Sequence, residues 1–313
     1  MNKFYIGIDM GGTLIKMAIV DDKANIIENA VLKTDITLHP QKILNNISNT
    51  LKNFKNYDKV KTIGIGIAGD INFKYGIVRF SPNLPKWNNI KLKETMEKLT
   101  NKKVYVDNDA NTAAIGAYWL DIKAKADNIV CVTLGTGVGG GIIINKKVYR
   151  GNTGTAGEIG HITIESNGNK CNCGNTGCAE TYIGVRHVVR DAINLLKKNK
   201  SKYIMKLANN DIKQITPKLL SQAAKKGDKV AKQVWINAGE KLGILLSDVI
   251  NFVNPDYIVL CGGISNAGNL LIAPAKQQIK KRAFKTAAKL CKIAVSKYTS
   301  KLGVVGAAML VKN

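Results

Sequence analysis

A histidine and three closely spaced cysteines form the most specific chemical feature of the sequence. Cys171, Cys173 and Cys178 lie in one short stretch, and His161 precedes them. In a cytosolic chain, bunched cysteines indicate metal binding rather than a disulfide framework. Three thiolates and one imidazole complete a tetrahedral Cys₃His zinc site, and four protein ligands leave no open position for catalysis. The spacing differs from that of zinc fingers, so the ligand types rather than the spacing predict a structural zinc ion.

Two carboxylates flank this cluster. Glu158 stands three residues before His161, and Glu180 stands two residues after the last cysteine. Gly174 and Gly177 let the backbone fold around an ion, because glycine adopts conformations that other residues avoid. A metal here would therefore hold a loop that carries two carboxylates rather than act as a Lewis acid.

Glycine-rich turns follow predicted strands at three places, residues 11–12, 135–141 and 262–263. Glycine lets backbone N–H groups come close to a phosphate, because no side chain intervenes. Residues 135–140 and 64–69 spell G-x-G-x-x-G, but neither stretch is followed by the helix that a dinucleotide site requires. A Walker-type phosphate loop is absent from the sequence. The turns favour a nucleotide held by β-turns over an NAD site.

Two aspartates follow predicted strands and are candidates for phosphoryl chemistry. Asp9 ends the first strand, where a carboxylate could hold Mg²⁺ through water near the phosphates. The alternative for Asp9 is a turn-stabilising role. Asp109, after Asp107 and Asn108, lies between a strand and a helix, where either Asn108 or Asp109 could cap the helix. Capping and catalysis are compatible, because a helix start fixes the position of a carboxylate.

Short apolar runs separated by glycine predict the strands that carry these residues. Tyr5 to Asp9 and Leu14 to Val20 are typical of a β-hairpin with glycine at its tip. A related pattern returns about 125 residues later, where Ile129 to Leu134 leads into the second glycine-rich turn and residues 142–145 resume the strand. Two copies of this unit predict two similar α/β halves facing one cleft.

Further elements are predicted between and after the two hairpins. Strands are expected at Thr62 to Ile67, Lys103 to Val106 and Tyr257 to Leu260, and a helix at Ala110 to Leu120. The helical spacing of six apolar residues predicts one buried helix face that ends at Asn254-Pro255: Leu242, Leu245, Leu246, Val249, Ile250 and Val253.

The predicted domain boundary lies within the helix expected at Ala110 to Leu120. We expect an N-terminal α/β domain at 1–115 and a C-terminal α/β domain at 116–313. A C-terminal helix at about 300–313 is a candidate to pack back on the first domain.

Composition excludes several other classes of protein. The formal charge of +25 invites a nucleic-acid partner, yet only five of the 47 basic residues are arginine, the residue that binds bases and phosphates in bidentate fashion. The lysines are spread along the chain, which indicates a solvated surface. No apolar run reaches the roughly 18–20 residues of a membrane span, and no leader pattern begins the chain. We expect a cytoplasmic protein without nucleic-acid or membrane partners, in which Cys131, Cys261 and Cys291 are buried thiols.

Five segments together resemble the ROK family, whose name covers repressors, open reading frames and kinases. Their order and spacing match over essentially the whole chain, and the stretch from His187 to Ile236 contains nothing diagnostic. The segments are Asp9-Met10-Gly11-Gly12-Thr13, Asn108-Asp109-Ala110-Asn111, residues 134–141, Glu158-Ile159-Gly160-His161 and residues 171–180.

The resemblance implies a two-domain actin/hexokinase-like fold and transfer of the γ-phosphoryl group of Mg²⁺-ATP to a sugar hydroxyl. It implies that Asp109 is the general base and that His161 serves zinc through one nitrogen and the sugar through the other. The implied sugar-binding residues are Gly69, Asn83, Asn108, Asp109, Glu158, His161 and Glu180. The implied ATP and Mg²⁺ residues are Asp9, Gly11, Gly12, Thr13, Gly135, Thr136, Gly137, Gly139, Gly262 and Gly263, and the zinc ligands are His161, Cys171, Cys173 and Cys178.

The choice of sugar and the class of activity stay open at this stage. Ala68, Asp107 and Gly184 stand where family members frequently have proline, glutamate and serine, which bears on sugar preference rather than on activity. Glucose is the first choice, with fructose, mannose, allose and N-acetylmannosamine as alternatives. A sugar-sensing repressor is disfavoured, because only eight residues precede Asp9 and a winged-helix domain needs more; a non-catalytic sugar-binding protein is the other alternative. The resemblance also implies a homodimer or homotetramer acting in carbohydrate metabolism.

Overall fold

The computed structural model describes residues 3–312 and separates into two compact units. The first unit contains the chain up to Cys131, Gly141–Gly157 and the stretch from Ser296 onward. The second unit contains Val132–Gly140 and Glu158–Val295. No helix among residues 3–312 is both long enough and apolar enough to cross a membrane.

The first part of the chain alternates strands with three helices. The elements are β1 (Phe4–Met10), β2 (Leu14–Asp21), β3 (Ile26–Lys33), α1 (Pro40–Lys52), β4 (Thr62–Ile67), β5 (Asp70–Asn72), β6 (Ile77–Phe80), β7 (Asn88–Ile90), α2 (Leu92–Thr100), β8 (Lys103–Asn108) and α3 (Asp109–Leu120).

The remaining chain is richer in helices. Its elements are β9 (Ile129–Leu134), β10 (Val138–Ile144), β11 (Lys147–Val148), α4 (Glu180–Ile183), α5 (Val185–Lys198), α6 (Lys202–Leu207), α7 (Pro217–Lys225), α8 (Lys229–Val253), β12 (Tyr257–Cys261), α9 (Asn269–Arg282), α10 (Lys285–Leu290), β13 (Lys292–Val295) and α11 (Leu302–Met309).

Two five-stranded sheets share one topology. Their strand orders are β3-β2-β1-β4-β8 and β11-β10-β9-β12-β13, so in each sheet the strands run third, second, first, fourth, fifth in chain order. In the first sheet β1 pairs antiparallel with β2 and parallel with β4, and β4 pairs parallel with β8. The predicted repetition of one hairpin-based unit is therefore present in the sheet order. A smaller sheet, β5-β6-β7, follows β4.

The burial of strands and helices agrees with their sequence patterns. The interior of β1 and β4 is buried on both faces, as expected for strands covered on each side. The predicted apolar face of α8 is buried at Leu242, Leu245, Leu246, Val249 and Ile250, and the helix ends at Asn254 in the left-handed conformation, just before a proline. In the first unit α11 packs against β1, β4 and α3.

Three sequence predictions need correction. The strand expected at 142–145 begins earlier, at Val138, because glycines 139–141 take the extended conformation and pair in β10 instead of remaining in the turn. The helix expected from Ala110 begins at Asp109. Cys131 and Cys261 are buried as predicted, but Cys291 is only half-buried, because it precedes the edge strand β13.

Candidate active site and metal centre

Asp109 and Asn108 lie where β8 ends and α3 begins. Asn108 is the N-cap residue, and its Oδ1 accepts a hydrogen bond from the Ala110 N–H at 2.8 Å. The Asp109 Oδ1 accepts from the same N–H at 3.0 Å, which fixes the carboxylate in the first turn of α3. An ionised carboxylate is favoured at this end of a helix, where the backbone N–H groups give a positive potential. Capping therefore falls mainly to Asn108, and Asp109 is held as an acceptor.

Asn108 also connects Asp109 to the segment predicted to line a sugar pocket. Its Nδ2 donates to the Gly69 carbonyl at 3.1 Å. Asn83, the second predicted pocket residue of this unit, lies against Gly12, since a Cβ at Gly12 would be 3.1 Å from the Asn83 carbonyl oxygen. The first unit thus brings Gly69 to Asn108 and Asn83 to the first glycine turn.

The first glycine turn carries Asp9 next to a lysine. The Gly11 N–H donates to Leu14 at 3.0 Å and the Thr34 hydroxyl donates to the Gly11 carbonyl at 2.8 Å, so backbone and threonine groups close the turn. Lys16 pairs with Asp9 across the hairpin, with Nζ 4.0 Å from Asp9 Oδ2. Burial raises the pKa of Asp9, and Lys16 opposes that rise. This carboxylate and ammonium form a polar pair beside the turn.

The second glycine turn holds Glu180 directly. Glu180 Oε2 accepts from the Val138 N–H at 3.0 Å, and the Val185 N–H donates to the Gly135 carbonyl at 3.0 Å. Arg186 lies 3.8 Å from the other carboxylate oxygen of Glu180. The turn itself is only residues 135–137, and Gly139, predicted within it, lies in β10. Within the second unit a predicted sugar-binding carboxylate is therefore attached to a predicted phosphate-binding turn.

The cysteine cluster has the geometry of a metal site. One ligand atom from each of His161, Cys171, Cys173 and Cys178 lies within 4.8 Å of the other three. The Cys173 and Cys178 sulfurs are 3.7 Å apart, and the Cys171 sulfur is 3.7 Å from His161 Nδ1. Tetrahedral zinc with Zn–S bonds of about 2.3 Å requires sulfur separations of about 3.8 Å. The residues present therefore fit a zinc ion.

The loop that forms this cluster depends on two glycines. Gly174 and Gly177 have φ values of 93° and 78°, in the left-handed region that favours glycine. The turn between Cys171 and Cys178 is closed by the Cys171 N–H, which donates to Asn175 at 2.8 Å. Burial and the neighbouring thiols raise the pKa of Cys178 to about 12, so a metal would have to displace its proton.

His161 presents its two nitrogens in different directions. Nδ1 faces the Cys171 sulfur, whereas Nε2 lies 4.0 Å from Glu158 Oε2. Glu158 is more than half exposed, and His161 is about one third exposed. An imidazole bound to metal through Nδ1 keeps Nε2 for a hydrogen bond with another group.

The third glycine turn lines a cavity. Gly262 has a φ of 94°, and its carbonyl accepts from the Ser265 hydroxyl at 2.7 Å. Gly263 contributes to a cavity of about 530 Å³ whose wall includes Pro217, Lys218 and Lys225. The wall therefore combines glycine backbone, apolar surface and two lysines.

Sequence reasoning missed three charged residues at these sites, Lys16, Arg150 and Arg186. Lys16 could have been found, because in a hairpin centred on Gly12 and Thr13 it is the residue opposite Asp9. Arg150 binds the Asp107 side chain at 2.7 Å, and the sequence around Arg150 contains no pattern that indicates this partner.

Comparison with known proteins finds one family model and several relatives that match nearly the whole chain. The ROK family model matches residues 5–313. A glucokinase from Thermotoga maritima is 32% identical over 308 residues, which cover 98% of this chain and 97% of the relative. A xylose repressor from Caldicellulosiruptor bescii is also 32% identical, over 98% of this chain and 77% of the repressor.

A solved structure has the same fold over nearly its full length. The ROK family glucokinase from Streptomyces griseus, in complex with glucose and AMPPNP, superposes with a TM-score of 0.83 at 32% identity and covers 98% of both chains. The predicted actin/hexokinase-like fold is confirmed by this likeness. With a family model matched from residue 5 to residue 313 and a shared fold, the chain belongs to the ROK family.

Proposed function

We propose that this protein is an ATP-dependent hexose kinase that converts glucose to glucose 6-phosphate. The observation that carries the proposal is the fixed carboxylate of Asp109 at the start of α3, in a chain that resembles a glucose-bound and AMPPNP-bound glucokinase over 98% of its length. A kinase of this type would act in the cytoplasm, in carbohydrate metabolism.

In the proposed reaction Asp109 takes the proton from the sugar hydroxyl. The hydroxyl oxygen forms the new bond to the γ-phosphorus while the bond between that phosphorus and the bridging oxygen breaks, and ADP leaves. Phosphoryl transfer needs positioning and charge stabilisation more than covalent help from the protein. Asp9 would hold Mg²⁺ through water, and the ion would supply charge neutralisation at the phosphates.

Sugar binding is assigned to the residues that the family resemblance implies. Asn108 and Asp109 would bind sugar hydroxyls, as would Gly69, whose carbonyl accepts from Asn108, and Asn83, which lies against Gly12. Glu158, His161 and Glu180 would bind further hydroxyls, with His161 using Nε2 because Nδ1 faces the cysteines. Zinc would bind to His161 and the three cysteines and hold this loop in place.

Nucleotide binding is assigned to the three glycine turns. Residues 11–13 and 135–137 would direct backbone N–H groups to the phosphates. The cavity beside Gly263 fits an adenosine group, because it combines apolar wall surface with polar groups of Thr216 and Asn266.

The direct test is an ADP-release assay with Mg²⁺-ATP and a panel of sugars. We expect the highest kcat/KM with glucose among glucose, fructose, mannose, allose and N-acetylmannosamine. A higher kcat/KM with another sugar would support the proposed kinase activity and identify that sugar as the substrate in place of glucose. No sugar-dependent ADP release would favour a sugar-binding regulator, a second candidate supported by the 32% identity with a xylose repressor.

Gly137→Ala is expected to weaken glucose binding by displacing Glu180. A Cβ at residue 137 would contact Glu180 Oε2, and the flexible carboxylate would move away from the Val138 N–H. Because small displacements of positioning groups have large effects, we expect the dissociation constant for glucose to rise about tenfold. The measurement is calorimetric titration with glucose in the absence of nucleotide.

The matched variant is Gly135→Ala, where a Cβ would meet no atom within 4 Å. Its glucose affinity in the same titration should stay within about twofold of wild type. Equal losses of glucose affinity in both variants would contradict the role assigned to Glu180.

Asp9→Asn is expected to stabilise the fold and impair the reaction. Burial raises the pKa of Asp9, so its ionised form costs folding free energy at neutral pH. We expect the ligand-free variant to melt about 2 °C higher at neutral pH and its kcat to fall about 10²-fold. The melting advantage should shrink as the pH falls through the raised pKa, because wild-type Asp9 then becomes neutral as well. Thermal melts of the wild type and the variant across this pH range measure the difference in melting temperature. A difference that does not change with pH would contradict a raised pKa for Asp9.

A further inference from the structure

A buried ion pair joins Arg150 to the residue two positions before the proposed base. Arg150 Nε donates to Asp107 Oδ2 at 2.7 Å, and the two side chains are only 18% and 3% exposed. Taking such a pair out of water is costly unless its geometry is good and further hydrogen bonds are formed. Because burying this pair is costly, we expect Arg150 and Asp107 to position other residues through further contacts.

The second oxygen of Asp107 binds the start of α3. Asp107 Oδ1 accepts from the Asn108 N–H at 2.8 Å and from Asn111 Nδ2 at 2.9 Å. One carboxylate thus fixes the residue before Asp109 and the residue two positions after it. Movement of the Asp107 carboxylate to another χ1 rotamer would break both contacts, and Asp109 lies between Asn108 and Asn111 in the chain.

Arg150 at the same time anchors the loop that leads into Glu158. Its guanidinium lies over the Phe73 ring, 5.1 Å from the ring centre. The backbone of Gly154 packs on the same ring, where an added Cβ would be 3.2 Å from a Phe73 ring carbon. Arg150 and Gly154 therefore both pack on Phe73, and Arg150 also binds Asp107, within the first unit.

We infer that Arg150 is a positioning residue for the base Asp109, acting through Asp107 and the first turn of α3. The inference rests on the proposed kinase function. Without the guanidinium, Asp107 would be a buried carboxylate that has lost its cationic partner, and it would turn toward water or toward other donors. The Asp109 carboxylate would then lose its fixed position while the nucleotide-binding turns stay intact.

The test compares Arg150→Met, Arg150→Lys and the double variant Arg150→Met with Asp107→Leu. We expect Arg150→Met to lower kcat about 10- to 10²-fold with the KM for ATP within about twofold of wild type. Arg150→Lys should fall between wild type and Arg150→Met, because lysine keeps the charge but not the fork geometry. Arg79→Met is the control, since its ion pair with Asp70 in the same unit is 37% and 43% exposed, far more than the Arg150–Asp107 pair, and it should change kcat less than twofold.

The double variant separates positioning from simple stability. Replacing both side chains by apolar ones should recover most of the melting temperature that Arg150→Met lowers, since no unpaired buried charge remains. Because leucine has no oxygen to accept from the Asn108 N–H and Asn111 Nδ2, kcat should stay low. Recovery of kcat together with the melting temperature, or wild-type kcat in Arg150→Met, would overturn the inference.

Hydrogen exchange gives a readout that does not depend on turnover. In Arg150→Met the amides of residues 108–112 should exchange at least about tenfold faster than in wild type, and in Arg79→Met they should not. Unchanged exchange at 108–112 in Arg150→Met would overturn the inference whatever the activity. Absence of sugar-dependent ADP release by the wild type would instead reject the proposed function alone.

Discussion

We expect Asp109→Asn to lower kcat for the proposed phosphorylation of glucose by about 10²–10⁴-fold, because a general base is removed. The fold should survive, because asparagine keeps an oxygen that can accept from the Ala110 N–H and is as good as aspartate at a helix start. The KM for ATP should change little, since the glycine turns are unaffected. Steady-state kinetics with glucose and ATP, together with a thermal melt, measure all three quantities.

The control for Asp109→Asn is Asp127→Asn. Asp127 forms an exposed ion pair with Lys146 at 3.3 Å in the same unit, and this pair contributes little to stability. Its kcat should stay within about twofold of wild type. Turnover near the wild-type rate in Asp109→Asn would remove Asp109 from the role of base and leave the proton acceptor to be found elsewhere.

Cys173→Ser is expected to lower both stability and glucose affinity. Cys173 is exposed, so without a bound ion its replacement would change the free energy of unfolding by no more than about 0.5 kcal/mol. If Cys173 is a zinc ligand, the variant loses part of the metal-binding free energy, and we expect the melting temperature to fall by about 8 °C or more. The KM for glucose should rise at least about tenfold, because Glu158, His161 and Glu180 flank the metal loop.

Metal analysis and a second cysteine variant complete this experiment. The wild type should contain one zinc per chain and Cys173→Ser much less. Cys291→Ser, which alters a half-buried thiol outside the cluster, should keep the zinc and the glucose KM. A zinc-free wild type, or a Cys173→Ser protein as stable as wild type, would argue against a structural metal.

Local chemistry made much of the fold and site predictable. The hairpin at Gly11-Gly12 and the buried face of α8 depend on neighbouring residues, whose spacing matches the period of a strand or a helix. The helix α3 could be predicted, to within one residue of its start, from the Asn and Asp that cap it. The clustering of His161 with the three cysteines could also be predicted, because histidine and closely spaced cysteines are typical of a metal site. The start of β10 could not, since its glycines are equally compatible with a turn and with an extended strand.

Tertiary structure brings charged groups of the site to partners that lie far away in the sequence. The residue types alone specify which groups are available for chemistry: Asp9 near the end of β1, Asp109 after β8, the glycine turns and the cysteine cluster. Only the folded chain decided that Arg150 reaches Asp107 and that Glu180 is held by the Val138 N–H, each across more than forty positions of sequence. Such pairs depend on how strands and loops pack, and packing free energy is shared by many apolar contacts rather than encoded in any one residue.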